Sequence, residues 1–130
     1  MEQFSLQTPA EGFIDITAQV AAIVARSSIH QGLCQIFVPH TTAGVTINEN
    51  ADPDVLADML AAFKQMTPDL PYRHREGNSP AHVKSSLTGC SLTVPVIAAR
   101  LRLGTWQGIY FCEFDGPRRR NVWIQVIGGA

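Results

Sequence analysis

From Ser91 to the end of the chain, four strand-length apolar segments follow one another without helical spacing: Leu92 to Ile97, Arg100 to Leu103, Trp106 to Glu113 and Val122 to Ile127. The connections between them are too short for the crossovers that parallel neighbours need, so most of these strands pair antiparallel. The first ninety residues read differently. Phe4 and Leu6 alternate with Gln3, Ser5 and Gln7, an opening strand. Pro9-Ala10-Glu11-Gly12 is a turn, and Phe13 to Ile16 returns as a second strand. Asp15 or Thr17 then caps a helix through about Ser28, with Val20, Ile23 and Val24 on one face. Leu33 to Val38 is a continuous apolar strand, and Val45 to Ile47 a shorter one. Asp52-Pro53 pairs a capping side chain with a proline suited to the first helical position, and Val55, Leu56, Met59, Leu60 and Phe63 follow at helical spacing. Ser79-Pro80 repeats the signal for a short helix from 80 to about 87, with Gly89 just beyond. About three helices and seven or so strands define an α+β domain.

At 130 residues and 45% hydrophobic, the chain is sized for one domain, 1–130, with an ample core. Ten Lys and Arg against eleven Asp and Glu give no basic excess, which argues against a nucleic-acid binder. No apolar run approaches the ~20 residues that span a bilayer. No signal peptide is visible at Met1-Glu2-Gln3-Phe4, and the odd set Cys34, Cys90 and Cys112 forms no Cys-x-x-Cys pair, so a reduced, cytoplasmic protein is expected. Cys34 and Cys112 lie inside apolar runs and read as small core residues.

Chemistry concentrates in Pro39 to Asp54, which holds His40, Thr41, Thr42, Thr46, Asn48, Glu49, Asn50, Asp52 and Asp54 between an apolar strand and an apolar helix. Asp52 has a capping role. The threonines and asparagines fit strand and turn positions, or they line a polar site. Glu49 has no comparable structural role and is a candidate acid, base or ligand. His40, His74 and His82 with Glu76 are residue types that hold a divalent metal (Zn, Mg or Mn being the ions considered), although their spacing matches no metal motif. Alternatively His40, directly after an apolar strand and a proline, is a histidine hydrogen-bonded at a strand end.

His82 falls in the first turn of the helix opened by Pro80, where free N–H groups attract anions, and Lys84 is near. A phosphate site and a capped surface helix both fit. In Gly104-Thr105-Trp106-Gln107-Gly108, Trp106 offers a stacking surface and Gln107 donors and acceptors, unless the segment is a hairpin turn around a core tryptophan. Arg118, Arg119 and Arg120 suit phosphate or carboxylate, but strand alternation sends Arg118 and Arg120 to one face and Arg119 to the other. His30 is placed at the end of the first helix, where an imidazolium complements the helix dipole.

Several of these segments resemble the YjbQ-like family: His40 to Asn50 with Asp52-Pro53, His74 with Glu76-Gly77, Pro80 to Leu87, and Gly104 to Tyr110. The resemblance runs from the first strand to Gly128. The family, long uncharacterised, is also named secondary thiamine-phosphate synthase. It implies a compact β-sandwich-like core of mostly antiparallel strands and a homotrimer. It further implies a minor activity that couples a pyrimidine methyl diphosphate to a thiazole phosphate and releases diphosphate. Carried over by position, the pocket takes His40, Thr41, Thr42, Asn48, Glu49, Asn50, His74, Glu76, His82, Lys84, Gln107 and Glu113. One position departs: Phe114 stands where some relatives have histidine.

The leading expectation is a transferase whose partner is a small phosphorylated molecule, with no organic cofactor. His40, Glu49 and Glu113 are its acids and bases. Lys84, Arg119 and the helix start at Pro80 neutralise the leaving diphosphate, while Trp106 stacks on a heterocycle. The alternatives are a metal-dependent phosphoester hydrolase and a non-catalytic trimeric small-molecule binding module.

Overall fold

A computed structural model describes residues 1–129. In chain order the elements are β1 (Glu2–Gln7), β2 (Gly12–Asp15), α1 (Thr17–Arg26), β3 (Gln31–Phe37), β4 (Ala43–Glu49), α2 (Pro53–Met66), α3 (Ser79–Thr88), β5 (Ser91–Ile97), β6 (Arg100–Leu101), β7 (Gln107–Glu113) and β8 (Arg119–Gly128). Five strands form one sheet in the order β1-β8-β3-β5-β6, three form another in the order β2-β7-β4, and every neighbouring pair is antiparallel. The α+β class and its mostly antiparallel strands therefore stand.

The core lies between the sheets because their strands alternate. On β3, Cys34 and Ile36 face inward; on β8, Val122 and Ile124 do the same; Val94 and Val96 continue the row on β5. Val45, Ile109 and Phe111 meet them from the smaller sheet, and α1 adds Val20, Ile23 and Val24. Burial pushes the Cys34 thiol up to about 11 and the Cys112 thiol up to about 12, so both are inert core groups. The outward row of the large sheet leaves Leu33, Phe37, Ile97 and Ile127 exposed, with Phe37 stacked on Trp123.

Local signals explain the element ends. Asp15 Oδ1 accepts from the Thr17 backbone N–H at 2.9 Å, and Asp52 Oδ1 from that of Asp54 at 2.9 Å. Gly89 closes α3 with φ +85°, a conformation that favours glycine. Two expectations change. α1 stops at Arg26, so His30 lies beyond it and its carbonyl instead accepts from the Ala99 N–H. Gly104 to Gly108 joins strands of different sheets and is no hairpin, and Trp106 is 62% exposed, not part of the core.

Candidate functional site

One end of the sandwich carries an open polar cleft of about 390 Å³. Pro39, His40, Thr41 and Thr42 reach it from the β3–β4 connection, Arg118 and Arg120 from the start of β8, His82 from the first turn of α3, and His74, Glu76 and Asn78 from the segment before α3. Alternation places Arg120 on the same inward row as Val122 and Ile124, so a guanidinium enters the end of the core at 4% exposure. Such a charge requires a partner. Glu113, wholly buried at the end of β7, supplies it: Arg120 Nε donates to Oε1 at 2.7 Å and Nη2 to Oε2 at 2.5 Å. Nη2 also reaches Thr42 Oγ1 at 2.9 Å. Among the described residues Nη1 has no acceptor.

Glu113 is not a catalytic acid or base in this arrangement. Besides Arg120, Thr8 Oγ1 and the Asp115 N–H donate to its oxygens. Burial raises its pKa, but the hydrogen bonds from Arg120, Thr8 and Asp115 outweigh that and hold the carboxyl below its ordinary value. It stays ionised, out of contact with solvent, and fixes Arg120.

His40 is held differently. The Asn121 backbone N–H donates to its Nε2 at 2.9 Å, which requires a lone pair there. Burial and then the charge of Arg120 lower its pKa. The ring is therefore neutral, with its proton on Nδ1. A metal would compete for the lone pair already committed to Asn121. His74 and His82 sit edge to face with ring centroids 5.4 Å apart, and His74 Nε2 is 3.9 Å from Glu76. Among the described residues no three His, Cys, Asp or Glu side chains converge on a metal position. The donor set His40, His74, His82 and Glu76 thus shares a cleft but does not fit a metal site.

The remaining expected site residues part company with this cleft. Lys84 is 6% exposed; its Nζ donates to Glu11 Oε1 at 2.6 Å and lies 5.9 Å from the Phe114 ring centroid, so its charge is committed inside the protein. Arg119 points to the other face of β8, beside Ser5, Leu6 and Gln7. Asn48, Glu49, Asn50, Trp106 and Gln107 lie at the far end of β4 and β7, where Glu49 pairs with Gln107 while Ala43 pairs with Glu113 at the near end. Their polar groups are used locally: Asn48 Oδ1 accepts from the Glu49 N–H, Asn50 Nδ2 donates to the Gln107 carbonyl, and Gln107 Oε1 accepts from the Gly104 N–H. Glu49 and Asn50 border a separate cleft of about 270 Å³ with Asp15 and Tyr110.

Three polar lining residues stand outside the expected site set. Arg120 and Arg118 were passed over for Arg119, although the parity of the strand pairs those two with each other. Asn78 carried only the signal of an Asn before a Ser-Pro helix start. It donates from Nδ2 to Asp115 Oδ2 at 2.8 Å, and the same oxygen accepts from Arg118 Nη2 at 3.0 Å.

Fold and cleft together define a small α+β protein of two facing antiparallel sheets with a polar, arginine-bearing cleft at one end. The family model described as UPF0047 protein YjbQ-like matches residues 2–129, and the chain belongs to that family. It is 54% identical over 124 residues to the UPF0047 protein YugU of Bacillus subtilis, covering 93% of each chain. It is 49% identical to the UPF0047 protein MJ1081 of Methanocaldococcus jannaschii, covering 91% of this chain and 86% of that one. A crystal structure of a YjbQ/UPF0047 protein from Clostridium acetobutylicum superposes with TM-score 0.95 at 50% identity, covering 98% of this chain and all of the other. One from Sulfolobus solfataricus, described as of unknown function, gives TM-score 0.93 at 33% identity over 98% and 96% of the two chains.

Proposed function

We propose that the cleft binds the phosphate group of a small phosphorylated molecule. The observation that carries this reading is Arg120. Two of its three nitrogens are locked by Glu113 and Thr42, and the third has no partner among the described residues while the residue lines the cleft. A guanidinium held this way presents its remaining N–H groups at little entropic cost. Arg118, the Nδ1–H of His40, the Thr41 hydroxyl and the start of α3 add donors around it, and among the described residues Glu76 is the one carboxylate that lines the cleft. A coupling that releases diphosphate fits the same charge: the leaving group would lie against Arg118 and Arg120, and His40, His74 and His82 would be the groups at hand for proton transfer.

Calorimetric titration with inorganic phosphate and diphosphate, with chelator present, tests the reading. Saturable binding is expected, weakened at least tenfold by Arg120→Lys, which keeps a charge for Glu113 but lacks the third nitrogen. Absence of binding, or an Arg120→Lys protein that binds like the wild type, overturns it.

A further inference from the structure

Asn78 Oδ1 is the one buried side-chain nitrogen or oxygen among the described residues without a hydrogen-bond partner. Such a group has given up its hydrogen bonds to water without replacement, a net cost that calls for an explanation. Amide orientation does not supply one. Nδ2 donates to Asp115 Oδ2, so turning the amide would set oxygen against carboxylate. Helix capping does not supply one either. Asn78 occupies the N-cap of α3, where an asparagine oxygen normally accepts a first-turn N–H, yet it makes no side-chain cap bond. An acceptor is thus withheld from its usual partner and fixed in orientation, on a residue that lines the cleft.

We propose that Asn78 is the specificity residue of this cleft, its Oδ1 accepting a hydrogen bond from a hydroxyl or amino group that the ligand carries beside its phosphate. The inference rests on the phosphate reading and narrows it to phosphomonoesters with a second, donor-bearing function. A donor that reaches Oδ1 relieves a cost already present in the free protein, whereas a ligand without one leaves that cost in place. Access requires the cleft wall to part locally, and the adjoining chain is built for it. Every hydrogen bond and ion pair of residues 68–77 among the described residues is internal to that segment, Tyr72 to Leu70 and Pro68, Gly77 to His74, and His74 to Glu76, apart from the Thr67 cap that precedes it. That segment runs directly into Asn78.

The test compares glycerol 3-phosphate and phosphoethanolamine with propyl phosphate, which has no second donor, in calorimetric titrations with chelator. Wild-type protein should prefer the donor-bearing probes at least tenfold, and Asn78→Ala should bring the ratio close to one. Equal binding of all three by the wild type overturns the role of Asn78 and leaves the phosphate reading intact. Binding of none overturns both. A preference that appears only when Mg²⁺ or Zn²⁺ replaces the chelator assigns Oδ1 to a cation and also overturns the proposal.

Discussion

A single buried pair, Glu113 with Arg120, ties the strand register to the cleft, and its energetics follow from desolvation. Removing one partner of such a pair leaves an uncompensated charge, at a cost of about 3–5 kcal/mol. Glu113→Ala is therefore expected to destabilise the protein by that order at neutral pH, read from urea unfolding. The pH dependence has a definite sign. The folded carboxyl lies below the ordinary 4.5, so its contribution is complete above that value, where both states are ionised. As pH falls below 4.5 the unfolded chain takes up the proton first, and stability drops until the folded carboxyl titrates too. The wild type should lose stability steeply through this range and Glu113→Ala less steeply; parallel slopes would remove Glu113 as the source. The role of Glu113 was not legible in the sequence. Glutamate at a strand end beside a turn reads as a reactive group, and only the inward parity of Arg120, seven residues later, shows what it serves. Parity was readable in Arg118-Arg119-Arg120, and Val122 and Ile124, alternating with Asn121 and Gln125, mark the face of Arg120 as the inward one; the acceptor that a buried arginine meets there leaves no mark on the strand.

Elements were far more legible than roles. Pro53 with Asp52, Pro80 after Ser79, and the alternation from Ser91 onward each gave an element within a few residues of its observed bounds, because caps and periodicity are local signals. The link from β6 to β7 was not local in this sense: Gly104 and Gly108 signal a turn but not that the chain changes sheets there. Gly44 shows another silent constraint. A Cβ at that position of β4 would lie 2.3 Å from Thr88 Oγ1 and 2.7 Å from the Gly89 carbonyl, where the end of α3 crosses the strand. Gly44→Ala must push α3 away, and since α3 brings His82 and Asn78 to the cleft, two effects are expected together. Stability should fall by about 1–3 kcal/mol, the usual cost of overpacking, and phosphate affinity should fall with it. Thermal unfolding and titration on the same preparation check both; a Gly44→Ala protein of unchanged stability would mean that α3 gives way freely.

At the scale of the whole molecule, the sequence placed its polar residues in one pocket, and the fold divides them. Pro39 to Asn50 is continuous in sequence, but Ala43–Glu49 is an extended strand, and seven residues at ~3.3 Å each separate its ends by roughly 20 Å. Nearness in sequence therefore became distance in space for His40 and Glu49. Distance in sequence became contact for Thr42 and Arg120, a pairing that depends on two sheets meeting and leaves no mark on either segment. Within one chain, a small phosphorylated ligand held at Arg120 cannot also stack on Trp106. Trp123→Phe leaves Trp106 as the only tryptophan and keeps an aromatic ring against Phe37. Its fluorescence should stay constant through a phosphate titration that saturates the cleft, while amide signals of Thr41, His82 and Asn121 move. A fluorescence change tracking the same saturation would couple the two polar ends, either through β4 and β7 or through a second copy of the chain docked with its Trp106 end at the first copy's cleft.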